Sequence, residues 1–230
     1  MVFIENLYRV LSDKIYYAFI KEDRFMYLVN GWSISVQLTL FAAILGIFIG
    51  MFIAIAKITG KPPFAQIADW YVSIIRGTPA VVQLTIIYFI ILADVNLPKT
   101  VIASIAFGIN SGAYVSEIIR SGIQAVDKGQ TEAGRSLGLS YSQTMRHVII
   151  PQAVKNILPA LGNEFIILLK ETSISGYIAL DDLTRGGTLI RSVTYDSMTP
   201  LLTVAYIYFL MTAMLSALLA KFERRLRSSD

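Results

Sequence analysis

The sequence predicts an all-α membrane protein: five transmembrane helices preceded by a helix lying in the membrane interface. Three observations predict it. Hydrophobic residues make up 55% of the 230 residues and charged residues 16%, with a mean hydropathy of +0.60, a balance too apolar for an average soluble domain. Four windows, 30–56, 77–93, 100–116 and 197–220, carry no charge and are long enough to cross or nearly cross a hydrocarbon core. A fifth, 156–169, is interrupted only by Glu164. No repeat, low-complexity stretch or linker divides the chain, so residues 1–230 form one transmembrane domain.

Residues 1–30 open the chain. Leu7, Tyr8, Leu11, Ile15, Tyr16 and Phe19 recur at near-helical spacing with Lys14, Lys21 and Arg24 between them, the pattern of an interfacial helix. Glu5 and Arg9 fall where a cleavable signal needs an unbroken apolar run. Packing against the outer edge of the bundle satisfies the same pattern, and the sequence does not decide between the two. In the first span Gly46 and Gly50 form a small-xxx-small pair that lets another helix come close. Gly60, Lys61, Pro62 and Pro63 make a turn, and Arg76-Gly77-Thr78-Pro79 introduces the second span, where Pro79 at an early helical position costs no internal hydrogen bond.

The third span leads into a charged, punctuated loop over 120–151. Asp127 and Gly129 precede a short helix ending at Leu137, and Gly138 supplies a left-handed stop. Ser140 with Gln143 fits a capping box, so a second short helix starts there and runs toward Pro151. The fourth span follows, then an external connection bearing Lys170, Glu171, Thr172, Ser173, Asp181, Asp182 and Arg185, then the fifth span with Lys221, Arg224, Arg225 and Arg227 at its end. Lys57, Lys61, Arg120, Lys128, Arg135, Arg146, Lys155 and the four C-terminal cations share one side; Lys99, Lys170, Arg185 and Arg191 share the other. The positive-inside rule therefore places the 120–151 loop and the C-terminus in the cytoplasm and the N-terminus outside.

Composition excludes several kinds of chemistry. The absence of cysteine removes disulfides, thiolate metal sites and thiol nucleophiles. His147 is the only histidine and reads as an exposed loop residue, which argues against an imidazole-based metal site or triad. The net charge of +4 reflects membrane orientation rather than nucleic-acid binding.

Residues 132–151, Glu-Ala-Gly-Arg-Ser-Leu-Gly-Leu-Ser-Tyr-Ser-Gln-Thr-Met-Arg-His-Val-Ile-Ile-Pro, resemble the cytoplasmic EAA loop of ABC importer permeases. Glu132, Ala133, Gly138 and Pro151 match at the right spacing, while Gly134, Val148 and Ile150 are small or apolar replacements. The Arg-Gly-Thr-Pro run with Val81, Val82, Gln83 and Leu84, the segment from Ala113 to Val126, and Leu158 to Phe165 resemble the polar amino-acid uptake subfamily, of the arginine, histidine and glutamine permease type. The likeness runs almost continuously from Leu38 to Arg227. It implies a five-helix type I importer fold, in which Glu132, Ala133, Gly134, Arg135, Gly138, Arg146 and Pro151 dock in a cleft of a separate ATPase subunit.

An ionisable side chain at bilayer depth is costly, which makes Glu164 the foremost substrate-binding candidate. A ligand's α-ammonium or basic side chain would keep it ionised, and a hydrogen bond to another helix is the bland alternative. Asn110, Tyr114 and Glu117 share one face of the third span. Asn110 suits a substrate carboxylate or an interhelix bridge equally well, whereas Glu117 and Arg120 read as a structural ion-pair network with Arg76. Gln83 is the third pocket candidate. The resemblance implies a pocket midway through the membrane on the third and fourth spans, and an acidic residue there suggests a cationic amino acid.

No Gly-x-x-x-x-Gly-Lys-Ser/Thr phosphate loop occurs, so the chain needs no cofactor of its own and is not an enzyme; ATP and Mg belong to the partner ATPase. The implied partners are that ABC subunit, a second permease subunit in a homo- or heterodimer, an extracytoplasmic amino-acid-binding protein, the lipid bilayer of a prokaryotic cytoplasmic membrane and the small amino acid carried. Two other classes remain open at this point: a proton-coupled carrier or channel with Glu164 as relay, and an assembly subunit that signals without transporting.

Overall fold

The computed structural model describes residues 9, 10 and 12–227, and every element in it is helical. In chain order these are α1 (Phe25–Thr59), α2 (Phe64–Gly77), α3 (Ala80–Ile86, prolonged by a π-helical turn Ile87–Ile91), α4 (Lys99–Gln124), α5 (Lys128–Ser136), α6 (Tyr141–Thr144), α7 (Ile150–Glu171), α8 (Leu183–Thr194) and α9 (Met198–Arg227). Among the described residues, α1, α4 and α9 are long and apolar enough to cross a membrane, and α2 with α3 makes a fourth span if the bent pair is counted as one. The window over 156–169 lies inside α7, which is not among the helices long and apolar enough to cross.

The centre of the bundle is α1 packed along α4. A Cβ on Gly50 would lie 2.5 Å from Val115 Cγ1, and one on Gly112 would lie 2.7 Å from Ile49 Cγ2, so the two backbones sit as close as bare glycine permits. Leu38, Leu84, Ile87, Phe107, Leu168 and Ile178 complete this core.

The second span departs from the single uncharged window over 77–93 read from the sequence. The chain bends by 108° between α2 and α3. Pro79 disfavours helical backbone at the residue before it, and Thr78 is extended at φ −122°, ψ 146°. Ala80–Ile91 alone would rise about 18 Å, well short of a hydrocarbon core of about 30 Å. Before the bend, α2 buries Ala68 and Val72 while Phe64, Ile67, Trp70 and Ile74 face outward.

The helix expected to stop at Pro151 also differs. Met145–Ile149 forms a π-helical turn in which the Ile150 N–H reaches the Met145 carbonyl, and the helix then runs on through α7. Pro151 has no N–H to bond back into the preceding turn, and the widened π-helical turn lets the chain pass it.

Of the N-terminal helix expected over 1–30, residues 1–8 and 11 lie outside the described residues. Helical turns reach Ile20, and the chain then breaks at Glu22 and Asp23, both left-handed with φ of 58° and 51°, before α1 starts at Phe25. Ala18 is buried with Leu28, Leu183, Ile190 and Val204, so this segment rests on α8 and α9. Beside it, α8 occupies what reads in the sequence as an external connection. Asp182 caps it by accepting the Arg185 N–H at 2.9 Å, and Ser35 Oγ accepts the Leu183 N–H at 3.2 Å.

Candidate functional site: a charged cleft above an exposed helical hairpin

The residues singled out in the sequence fall into two places. The first is a cleft of about 370 Å³ between the C-terminal end of α2, the C-terminal half of α4 and the middle of α7. That lies within the roughly 300–1,000 Å³ of small-molecule sites. Arg76, Tyr114, Glu117, Asn163 and Glu164 supply its polar wall, and Ile118, Ala160 and Ile167 its apolar one. Glu164 is 8% exposed, and its Oε1 accepts a hydrogen bond from Ser111 Oγ at 2.9 Å. Arg76 lays its guanidinium over the Tyr114 ring, 5.3 Å from the centroid. No ion pair among the described residues includes Arg76 or Glu164.

The ion-pair network does form around Glu117, with different members from those expected. Glu117 accepts from Lys57 Nζ at 2.6 Å and from Arg120 Nη2 at 2.7 Å, and Lys57 reaches on to Asp69 Oδ1 at 2.9 Å. Three helices, α1, α2 and α4, are thereby tied at one level. Arg76 stays outside because α2 places it about two turns beyond Asp69, over Tyr114.

Gln83 and Asn110 meet each other rather than the cleft. Asn110 Nδ2 donates to Gln83 Oε1 at 2.9 Å, and Gln83 Nε2 donates to the carbonyls of Ile75 and Thr78 at 2.7 and 3.0 Å and to Thr78 Oγ1 at 2.8 Å. The pair satisfies carbonyls that the α2–α3 break releases. Asn110 Oδ1 is buried with no partner among the described residues. Neither residue lines the cleft that holds Glu164.

The second place is the hairpin of α5 and α6. The Gly138 N–H reaches the Arg135 carbonyl and the Leu139 N–H the Gly134 carbonyl, with Gly138 left-handed at φ 83°. This double closure is the glycine stop read from the sequence. Ser140 and Gln143 form the reciprocal capping box, at 2.8 and 3.3 Å. Gly134 is buried against Thr144, whereas Glu132, Ala133, Arg135, Gly138, Arg146 and Pro151 are exposed. Leu137 and Tyr141 project beside them, 83% and 60% exposed. The result is a rigid protrusion of mixed charge and apolar surface. His147 is exposed on it as well.

Sequence reasoning missed Ser111 as the Glu164 partner and Lys57 and Asp69 as members of the network. Each lies on a different helix from its partner, so no local pattern announces it; the one available signal was that Ser111 follows Asn110 on a face rich in small residues.

Known proteins resemble this chain over nearly its full length. The family model for the binding-protein-dependent transport system inner membrane component matches residues 27–228. The arginine transport system permease protein ArtQ of Bacillus subtilis (strain 168) is 40% identical over 206 residues, which are 89% of this chain and 94% of that one. A putative glutamine transport system permease protein GlnP of Rickettsia bellii (strain RML369-C) is 38% identical over 205 residues, 88% and 94% of the two chains. A chain in the crystal structure of an amino acid ABC transporter with histidines superposes with a TM-score of 0.85 at 47% identity, over 90% of this chain and 98% of that one.

Proposed function

Because the chain belongs to the family of binding-protein-dependent transport system inner membrane components, we propose that it is the permease subunit of an ATP-driven importer of polar amino acids. The relatives named for arginine and glutamine transport supply the substrate class, and Glu164 in the cleft supports a preference for cationic members of it. ATP and Mg are held by a separate ATPase subunit, a second permease subunit completes the path, and an extracytoplasmic binding protein delivers the amino acid. The hairpin and the C-terminus face the cytoplasm of a prokaryotic cell, and the N-terminal segment faces outside.

The observation that carries this reading is the exposed, doubly capped hairpin in a chain that has no phosphate loop of its own. Its two limbs lead straight to the cleft. The α4 helix ends at Gln124, just before α5, and the helix from Tyr141 to Glu171 is continuous through its π-helical turn. The span from Arg146 to Glu164 rises about 27 Å along that helix. When the ATPase pair closes on ATP, a displacement of the hairpin is carried as rigid-body motion to both walls of the cleft and opens it outward; hydrolysis and product release return it. The chain's own residues bind and orient the amino acid, and no covalent step occurs on them.

The test is uptake by the assembled complex in proteoliposomes against a panel of labelled amino acids. Accumulation should require ATP and the binding protein. Uptake driven by a proton gradient without ATP overturns the reading in favour of a carrier that uses Glu164 as relay. Equal competition by arginine, lysine, histidine and glutamine removes the cationic preference alone.

A further inference from the structure

Two apolar hollows lie on the side of α4 turned away from the charged cleft. Ile105 and Ile109 precede the cleft residues Tyr114 and Ile118 by nine positions each, about two and a half helical turns, so they point the opposite way. The first hollow, of about 280 Å³, lies between α1 and the start of α4. Leu38, Phe41, Leu45 and Val101 form its walls, and Gln37 and Thr100 stand at the end nearest Lys99. The second, of about 410 Å³, fills the elbow of α2 and α3 among Ile74, Ile75, Val82, Ile86, Ile91 and Ile109. Gln83 and Thr78 also border it, but they bond to each other at 2.8 Å. Ile105 lines both hollows, which therefore make one path along α4, polar at one end and aliphatic at the other.

The rim of this path is apolar and open, with Phe41, Ile74, Ile86 and Ile91 all exposed. A hollow lined by aliphatic side chains stays dry. Gln37 gives the occupant its polarity. Its amide is exposed within an uncharged span and donates to Ser33 Oγ at 3.0 Å, while its carbonyl oxygen has no partner among the described residues. An amide at membrane depth is costly unless a polar group meets it. From Thr100 to Ile109 the path runs about 14 Å along α4, close to half of a hydrocarbon core of about 30 Å and so the depth of one leaflet. We propose that the path binds one phospholipid, its headgroup and ester region at Gln37 and Thr100 and one acyl chain running past Ile105 into the elbow. This rests on the proposed assembly, in which the second permease subunit lies on the cleft side and leaves the opposite side to the bilayer.

The test places the assembled complex in nanodiscs doped with a phosphatidylethanolamine that carries a diazirine at the end of one acyl chain, and maps the adducts by mass spectrometry after illumination. Labelling at Ile74, Ile86 and Ile109 should exceed that at Phe48 and Phe52, exposed on α1 outside the path, by about tenfold, the most that one satisfied hydrogen bond supplies. Gln37→Leu should bring it down to the level of Phe48. Ile105→Trp should block the junction and clear the elbow of adducts; Val82→Trp at the elbow does the same if that variant fails to assemble on size exclusion. Uniform labelling of all apolar surfaces, or unchanged labelling in Gln37→Leu, overturns the proposal and leaves ordinary bilayer contact. Because the chain has no cysteine, Val101→Cys reports on the other occupant. Disulfide-linked permease pairs in that variant would place a second subunit on the path and overturn the assumed assembly as well. ATP-driven uptake by the wild-type complex is measured in parallel: uptake with uniform labelling means that the lipid site alone fails.

Discussion

Gly134 and Thr144 face each other across the hairpin so closely that a Cβ on Gly134 would stand 2.7 Å from Thr144 Cγ2 and 3.0 Å from its Oγ1. This contact sets the angle between α5 and α6, and therefore the shape of the exposed hairpin. Gly134→Ala should force the two helices apart at a cost of about 1–3 kcal/mol, typical of overpacking. The measurable outcome is a fall in amino acid taken up per ATP hydrolysed. Combining it with Thr144→Ser, which removes the clashing methyl, should recover most of the coupling; if the double variant is no better than the single, the contact does not set the hairpin angle.

Gly138 is the other point at which hairpin geometry depends on one residue. Its φ of 83° lies in the left-handed region, where a side chain with a Cβ is strained by roughly 1–3 kcal/mol, although nothing stands within 4 Å of the site. Gly138→Leu should therefore unseat the Schellman closure without a steric clash. ATP hydrolysis by the complex should persist while uptake falls several-fold, and Glu132→Ala, on the exposed face of the hairpin, should act in the same direction. Unchanged stoichiometry in both variants would refute the docking role of the hairpin.

These local devices are the part of the molecule that the sequence displays most openly. Gly138, Ser140 and Gln143 act within a few residues of one another, so their order in the chain is already their geometry. The bend at Thr78–Pro79 was less visible because Ile74 and Ile75 continue the apolar run across it, and because Asp69 and Arg76 disguise α2 as a loop before a span. The charged cleft was half legible. Glu164 stands out as a carboxylate in an apolar window, but its contact with Ser111 spans 53 positions, and the Lys57 contact to Glu117 spans 60. Asn110 read equally as ligand or bridge, and only its meeting with Gln83, 27 residues earlier, shows the bridge.

The Lys57–Glu117–Arg120 network is unequal in its parts, which gives a graded prediction. The side chains of Lys57 and Glu117 are only 14% and 18% exposed, whereas Asp69 is 59% exposed. Glu117→Gln leaves two half-buried cations without their shared carboxylate and should destabilise the complex by about 2–3 kcal/mol. Asp69→Asn removes a solvent-screened partner and should cost less than about 1 kcal/mol. Thermal unfolding in detergent at one salt concentration compares them, and equal effects would mean that the network does not hold α1 to α4.

Asp182 ties stability to pH at the opposite end of the bundle. Burial raises its carboxyl to about 6 from an ordinary value of 3.8, against the hydrogen bond donated by the Arg185 N–H, which lowers it. One oxygen, Oδ1, serves the cap, while Oδ2 is buried with no partner among the described residues. Between about pH 4 and 6 the folded protein binds more protons here than the unfolded chain, so stability falls as pH rises through that window and levels off above it. A shift of this size corresponds to at most about 3 kcal/mol. Asp182→Asn keeps the capping oxygen and places a neutral amide at the unpartnered position. It should flatten the slope between pH 4 and 6 and raise the unfolding temperature at pH 7.5; a wild-type slope in the variant would show that another group is responsible.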